Sequence, residues 1–246
     1  MQIKPYSSFD ELSLEAAQFI YAKIKTQIKE TSSFNLGLAT GQSTKEIYKH
    51  LVNLLDISHL NLSDFHTVNL GEYYPIDQSD ENSFFQEVFH GFWGPLNDGN
   101  QTFDFANGHI LNTEEANLEN ECSNFEKLLK DIGGIDIQIM EMGHDGQIGF
   151  NEPGSDGNSR TRKVELSAKT IKALSKTMKT IPTSALTMGI GTILEAKEIV
   201  LLATGRGKQM IFDKLIALKA PSTDIPASFL INHPLVTVFT DLSKEV

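Results

Sequence analysis

The stretch "IDIQIMEMGHDGQIGFNEPG", residues 135–154, divides into an apolar run and a polar, glycine-rich turn. Residues 135–142 have the length and the Ile/Met content of a buried strand. The turn that follows carries four glycines, two acids (Asp145, Glu152), two amides (Gln147, Asn151) and His144. The same grammar recurs along the chain. "FNLGLAT" (34–40) runs into "GQST", "FHTVNL" (65–70) into "GEYYP", and "EIVLLAT" (198–204) into "GRGK". A further strand is predicted at 235–241, "LVTVFTD".

Helices are predicted between these strands. Residues 10–30 carry Leu12, Ala16, Phe19, Ile20, Ile24 and Ile28 at helical spacing, with Ser8 or Asp10 as cap. Ser43 can cap a helix through "TKEIYKHLVNLL", and further helices are expected at 82–93, 117–131 and 207 to about 218. Strands alternating with helices argue for an α/β fold: a single Rossmann-like domain over residues 1–246, its mostly parallel sheet covered by helices on both faces. In such sheets ligands bind beyond the carboxyl ends of the strands, so the four glycine-bearing turns predict one composite site.

Composition narrows the function. A net charge of −11 argues against a nucleic-acid partner, which calls for a basic face. Cys122 is the only cysteine, so no intrachain disulfide can form. The N-terminal "MQIKPYSSFDEL" lacks the apolar core of a signal peptide, and no apolar run has a membrane-spanning length. These features predict a cytoplasmic protein with a small-molecule ligand, and leave a homo-oligomer open.

Each turn has a chemical and a purely structural reading. Thr40, Gly41, Gln42, Ser43 and Thr44 join a strand to a helix, where outward amides and the positive dipole end suit a phosphate. They lack the lysine and spacing of a P-loop, and an ordinary capped turn has the same residues. Lys208 begins a helix against the dipole, a small cost that a bound anion would offset; the alternative is a solvated lysine. Asp145 and Glu152 converge only if their turn folds back. They then serve as proton shuttles, or else Asp145 bonds turn amides and Glu152 caps a helix. His144 is read as packed or solvent-facing. The seven histidines and Cys122 show no metal-ligand spacing, so no metal is predicted.

Taken together, "LGLATGQSTKEIYKHL", "VNLGEYYP", "MGHDGQIGFNEPG", "ALTMGIGTIL" and "LLATGRGKQ" resemble, in this order, the aminosugar-6-phosphate deaminases. Those enzymes convert glucosamine or galactosamine 6-phosphate to a ketose 6-phosphate and ammonia. "TGRGKQ" and "IPASFL" look closer to the galactosamine branch. The 6-phosphogluconolactonases share a similar Asp-Gly turn but lack "FNEP". The resemblance implies that Thr40 to Thr44 and Lys208 hold the phosphate. It also implies that Gly71, Gly143 and Gly146 border the sugar, and that Asp145 and Glu152 act in proton transfer. The implied reaction is enolisation at C2, with no redox cofactor or metal.

Two positions depart from the family pattern. The usual Asp-Glu-Tyr, whose aspartate is the C2 base, is here Gly71-Glu72-Tyr73. The usual histidine after Asp-Gly is here Gln147, which cannot relay a proton near neutral pH. Losing one positioned acid or base costs about 10²–10⁴-fold, so the chain reads either as a deaminase with a relocated base or as a silent sugar-phosphate binder. Glu72 is the candidate relocated base, although an extended segment would point it to the side opposite Gly71. Between residues 170 and 182 the family's phosphate-binding arginine is absent, and Lys172, Lys176 or Lys179 is the candidate replacement.

Overall fold

The computed structural model describes residues 1–242. Seven strands form one sheet: β1 (Gln2–Pro5), β2 (Ser33–Leu38), β3 (Asp64–Asn69), β5 (Gly108–His109), β6 (Ile137–Glu141), β9 (Glu198–Ala203) and β10 (Val236–Thr240). Their spatial order is β1-β10-β9-β6-β2-β3-β5, and every pairing is parallel. The apolar strands explain this. In β9, Ile199, Leu201 and Ala203 enter one core cluster, while Val200 and Leu202 enter the other. A strand buried on both faces has no polar side to expose.

The helices supply those two covers. On one face lie α1 (Phe9–Thr31) and α2 (Gln42–Asp56), which bury Leu12, Ile20 and Ile24 and Ile47, Leu51 and Leu55 respectively. Ser8 caps α1, accepting from the Glu11 amide at 3.2 Å. The same face carries α3 (Phe84–Val88), a π-helical turn (Phe89–Trp93) and α4 (Gly94–Asp98). On the other face, α5 (Leu118–Asp131) buries Phe125 and Leu129, and α8 (Gln209–Ala217) buries Phe212 and Leu215. Burying each such side chain contributes about 1.5–3 kcal/mol.

A second, antiparallel sheet of β4 (Gly71–Tyr74), β8 (Ser184–Thr187) and β7 (Arg162–Glu165) is absent from the sequence reading. Two short helices, α6 (Ala168–Leu174) and α7 (Ile190–Ile193), flank it.

The chain passes from β2 outward through β3 to β5, then returns to the other side of β2 as β6. The crevice between the carboxyl ends of β2 and β6 is therefore the topological switch point, where α/β sheets hold ligands. Among the described residues no helix is long and apolar enough to cross a membrane.

Candidate active site

A cavity of about 420 Å³ opens at this switch point. Ala39, Thr40, Gly41 and Gln42 line it from the β2 end; Glu141, Met142, Gly143, His144 and Gln147 line it from the β6 end. Leu70 and Gly71 border it, as does Lys208. Its volume suits one sugar-sized ligand.

Local chemistry fixes the β2 end. The Tyr48 hydroxyl donates to the Ala39 carbonyl at 2.6 Å and accepts from the Ala39 amide at 3.0 Å. Gly41 has φ 147°, and a Cβ there would lie 2.6 Å from Glu141 Oε2, so this position demands glycine. Gly41 precedes the first helical residue of α2, and no side chain caps that helix. Ser43 is not the predicted cap. Its hydroxyl pairs instead with Thr204 Oγ1 at 2.7 Å, tying the two strand–helix turns together. Thr44 is fully buried inside the helix, its hydroxyl donating to the Gly41 carbonyl at 2.9 Å. Lys208 ends the 3-10 turn Arg206–Lys208 and is buried, at 6% exposure.

Lys208 is paired. Its Nζ lies 2.5 Å from Glu141 Oε1, at the last position of β6. The Gly41 amide is also engaged, donating to Glu87 Oε1 at 2.7 Å. Two carboxylates of the protein thus occupy the donors that sequence reasoning assigned to a ligand phosphate. Sequence reasoning missed Glu141 because an acid closing a strand looks like an ordinary strand end.

The opposite wall is aromatic. Tyr73, Phe84 and Phe150 pack together with ring centroids 4.7–5.7 Å apart, and all three line the cavity. Such rings receive the C–H face of a sugar. Burial pushes the Tyr73 phenol up to about 12, with nearby Glu72 and Glu87 adding to it.

Several predicted site residues point elsewhere. Glu72 is 2% exposed and does not line the cavity. Its carboxylate accepts from the amides of Tyr73, Phe84 and Phe85 at 2.8–3.0 Å, closing the start of α3. Burial raises its pKa to about 7, while those three amides pull the other way. A carboxylate held by three amides and turned from the cavity is not placed to act as the relocated base.

Asp145 and Glu152 do converge, on α6 rather than on the cavity. Glu152 accepts from the Ser167 amide and hydroxyl, both at 3.1 Å, and from the Thr170 hydroxyl. Asp145 accepts from the Gln147 amide at 3.2 Å and faces Lys169 Nζ at 3.6 Å. Asp145 Oδ1 nevertheless lies only 3.4 Å from where a Gly143 Cβ would project, so it sits just behind the cavity wall. Gly146 also lies behind this turn, its carbonyl accepting from the Ala227 amide at 2.8 Å. Gln147 closes the turn, accepting from the Gly143 amide at 2.9 Å. His144 lines the cavity, with Nδ1 3.4 Å from the Gly207 carbonyl oxygen. Lys172, Lys176 and Lys179 do not line it.

Gly71 explains the missing aspartate in physical terms. A Cβ at this position would lie 2.5 Å from the Leu186 carbonyl oxygen, across the β4–β8 pairing, and 3.3 Å from Phe150. No side chain fits unless the backbone moves.

The family model for glucosamine-6-phosphate isomerases and 6-phosphogluconolactonases matches residues 7–238. The chain belongs to this family. It is 37% identical over 237 residues to a glucosamine-6-phosphate deaminase of Thermoanaerobacter pseudethanolicus, covering 95% of this chain and 90% of the relative. It is 38% identical over 244 residues to that of Clostridium acetobutylicum, covering 98% and 97%. A solved monomeric glucosamine-6-phosphate deaminase superposes with a TM-score of 0.88 at 35% identity, covering 98% of this chain and 97% of that one. A 6-phosphogluconolactonase of Leishmania guyanensis shares the fold, with a TM-score of 0.76 at 17% identity over 100% and 98% of the two chains.

Proposed function

We propose that this family member is an aminosugar-6-phosphate deaminase whose substrate lies in the switch-point cavity. The observation that carries this reading is the meeting of the α2 start, at Gly41 and Gln42, with the buried ammonium of Lys208 in one cavity. Helix-start amides and a desolvated lysine are the donors that a phosphomonoester needs. The aromatic wall would receive the sugar ring. The turn from Gly143 to Gln147 would then border the reacting carbons.

The reaction removes the C2 proton, delivers one to C1 through an enediol-like intermediate, and hydrolyses the resulting C2 imine. One water is consumed and ammonia leaves. Asp145, just behind Gly143, is the proton acceptor in this reading once its carboxylate turns from Lys169 into the cavity. His144, on the cavity wall, is the group able to protonate the ring oxygen. Glu152 and Glu72 position α6 and α3 respectively. The product and substrate are charged metabolites, which fits a cytoplasmic protein.

A second reading, a silent sugar-phosphate binder, is favoured by the steric exclusion of a side chain at Gly71 and the engagement of Glu72. One assay separates the two. With glucosamine or galactosamine 6-phosphate, the deaminase releases ammonia and ketose phosphate in equal amounts, and Asp145→Asn lowers kcat by about 100-fold or more. Thermal stabilisation without ammonia would support the silent binder. Neither stabilisation nor turnover would remove both.

A further inference from the structure

We propose that Glu141 acts as an internal counter-anion, paired with Lys208 in the free protein until the phosphate of a sugar phosphate displaces it. The inference rests on the phosphosugar reading above and adds a residue which that reading does not use.

The geometry is specific. Glu141 reaches Lys208 Nζ with Oε1 at 2.5 Å, while its other oxygen packs on Gly41, 2.6 Å from where a Cβ would stand. It therefore fills the space between the lysine and the helix start, where phosphate oxygens would sit. Its side chain keeps 21% exposure against 8% for Lys208, so it is the partner with room to swing outward. A second recess, lined by Gln42, Ser43, Arg206 and Asp241 and by Glu141 and Lys208 themselves, opens on the other side of the pair, so Glu141 also borders open space there. Glu87 occupies the neighbouring donor, accepting from the Gly41 amide at 2.7 Å.

A phosphate dianion cannot share Lys208 with an ionised carboxylate without like-charge repulsion. Free inorganic phosphate has only its charge and its acceptor oxygens with which to displace Glu141. A sugar phosphate adds contacts to the Tyr73, Phe84 and Phe150 wall. Both ligands pay the same cost of displacing Glu141, so the carboxylate raises both dissociation constants together, and only the ligand with the added wall contacts still binds tightly.

The test is calorimetric titration of the full chain and of Glu141→Gln with inorganic phosphate and with glucosamine 6-phosphate. The amide keeps an acceptor for Lys208 and removes the charge. Inorganic phosphate and glucosamine 6-phosphate should both bind the variant about tenfold more tightly, because each is relieved of the same displacement cost. In the unaltered protein, glucosamine 6-phosphate should shift the Glu141 carboxylate carbon resonance as the pair breaks, a readout independent of any variant's folding.

Equal or weaker phosphate binding by the variant overturns the proposal, as does a Glu141 resonance that ligand leaves unmoved. A variant that loses glucosamine 6-phosphate alone would mean that Glu141 receives the sugar's ammonium, which also overturns it. If both proteins bind glucosamine 6-phosphate equally, the counter-anion role falls and the phosphosugar reading stands. If neither protein binds either probe, both fall.

Discussion

Replacing Lys208 with methionine weakens glucosamine 6-phosphate binding by about 100-fold or more, the scale for truncating one partner of a buried charge pair. Lys208 is the one cation among the lysines and arginines lining the switch-point cavity within the described residues. Its loss removes the ligand's counter-charge and leaves Glu141, now unpaired, facing the incoming phosphate. The cost therefore has two parts, a lost attraction and an uncovered repulsion. Titration of Lys208→Met and of the double variant Lys208→Met/Glu141→Gln separates them. The double variant should recover part of the loss, because two residues in contact are not additive. Binding by Lys208→Met within threefold of the parent would contradict a phosphate held at this end.

Replacing Gly71 with aspartate destabilises the protein by about 2–4 kcal/mol, at the upper range for forcing atoms into a packed site. It brings no gain in deamination. The clash is with backbone, the Leu186 carbonyl at 2.5 Å, and with Thr187 Cα at 3.3 Å, neither of which can rotate away. Strand β4 must separate from β8 to admit a side chain, disturbing the Tyr73–Phe84–Phe150 wall. Urea unfolding measures the loss, and an ammonia assay the activity. Adding Gln147→His should not rescue the rate, because the carboxylate would still be misplaced. A stable Gly71→Asp variant with raised turnover would show that β4 yields easily and that the absent base is a simple vacancy.

Much of the fold was legible because its signals are strong and local. The runs 34–40, 65–70, 135–142, 198–204 and 235–241 each overlap a strand of the parallel sheet, since a strand buried on both faces is apolar at nearly every position. The small antiparallel sheet was not legible. Its strands GEYY, RKVE and SALT are four residues each; the first two mix charged with apolar side chains, and the third has only two apolar residues. β1, four residues ending in Pro5, gives as little signal. The segment 82–93 reads as one helix, yet a π-helical turn begins at Phe89.

The site was legible in position more than in contacts. The turns after β2 and β9 meet through Ser43 and Thr204, as their shared topology required. Sequence could not tell which way each carboxylate turns. Glu72 lies one residue from Gly71, and strand alternation sends it to the α3 amides. Asp145 and Glu152 are close enough in sequence to share a site, but Ser167, Lys169 and Thr170, distant in the chain, decide that they share α6. Glu141 became visible only when Lys208 was brought to it from 67 residues away.

The most direct test is a crystal structure with glucosamine 6-phosphate bound. The phosphorus should lie between the Gly41–Gln42 backbone and Lys208 Nζ, with Glu141 swung away from the lysine and the sugar ring against Tyr73 and Phe150. A phosphate seated instead in the larger cavity of about 810 Å³ lined by Lys45, Lys49 and His90, with the Lys208–Glu141 pair intact, would contradict the account.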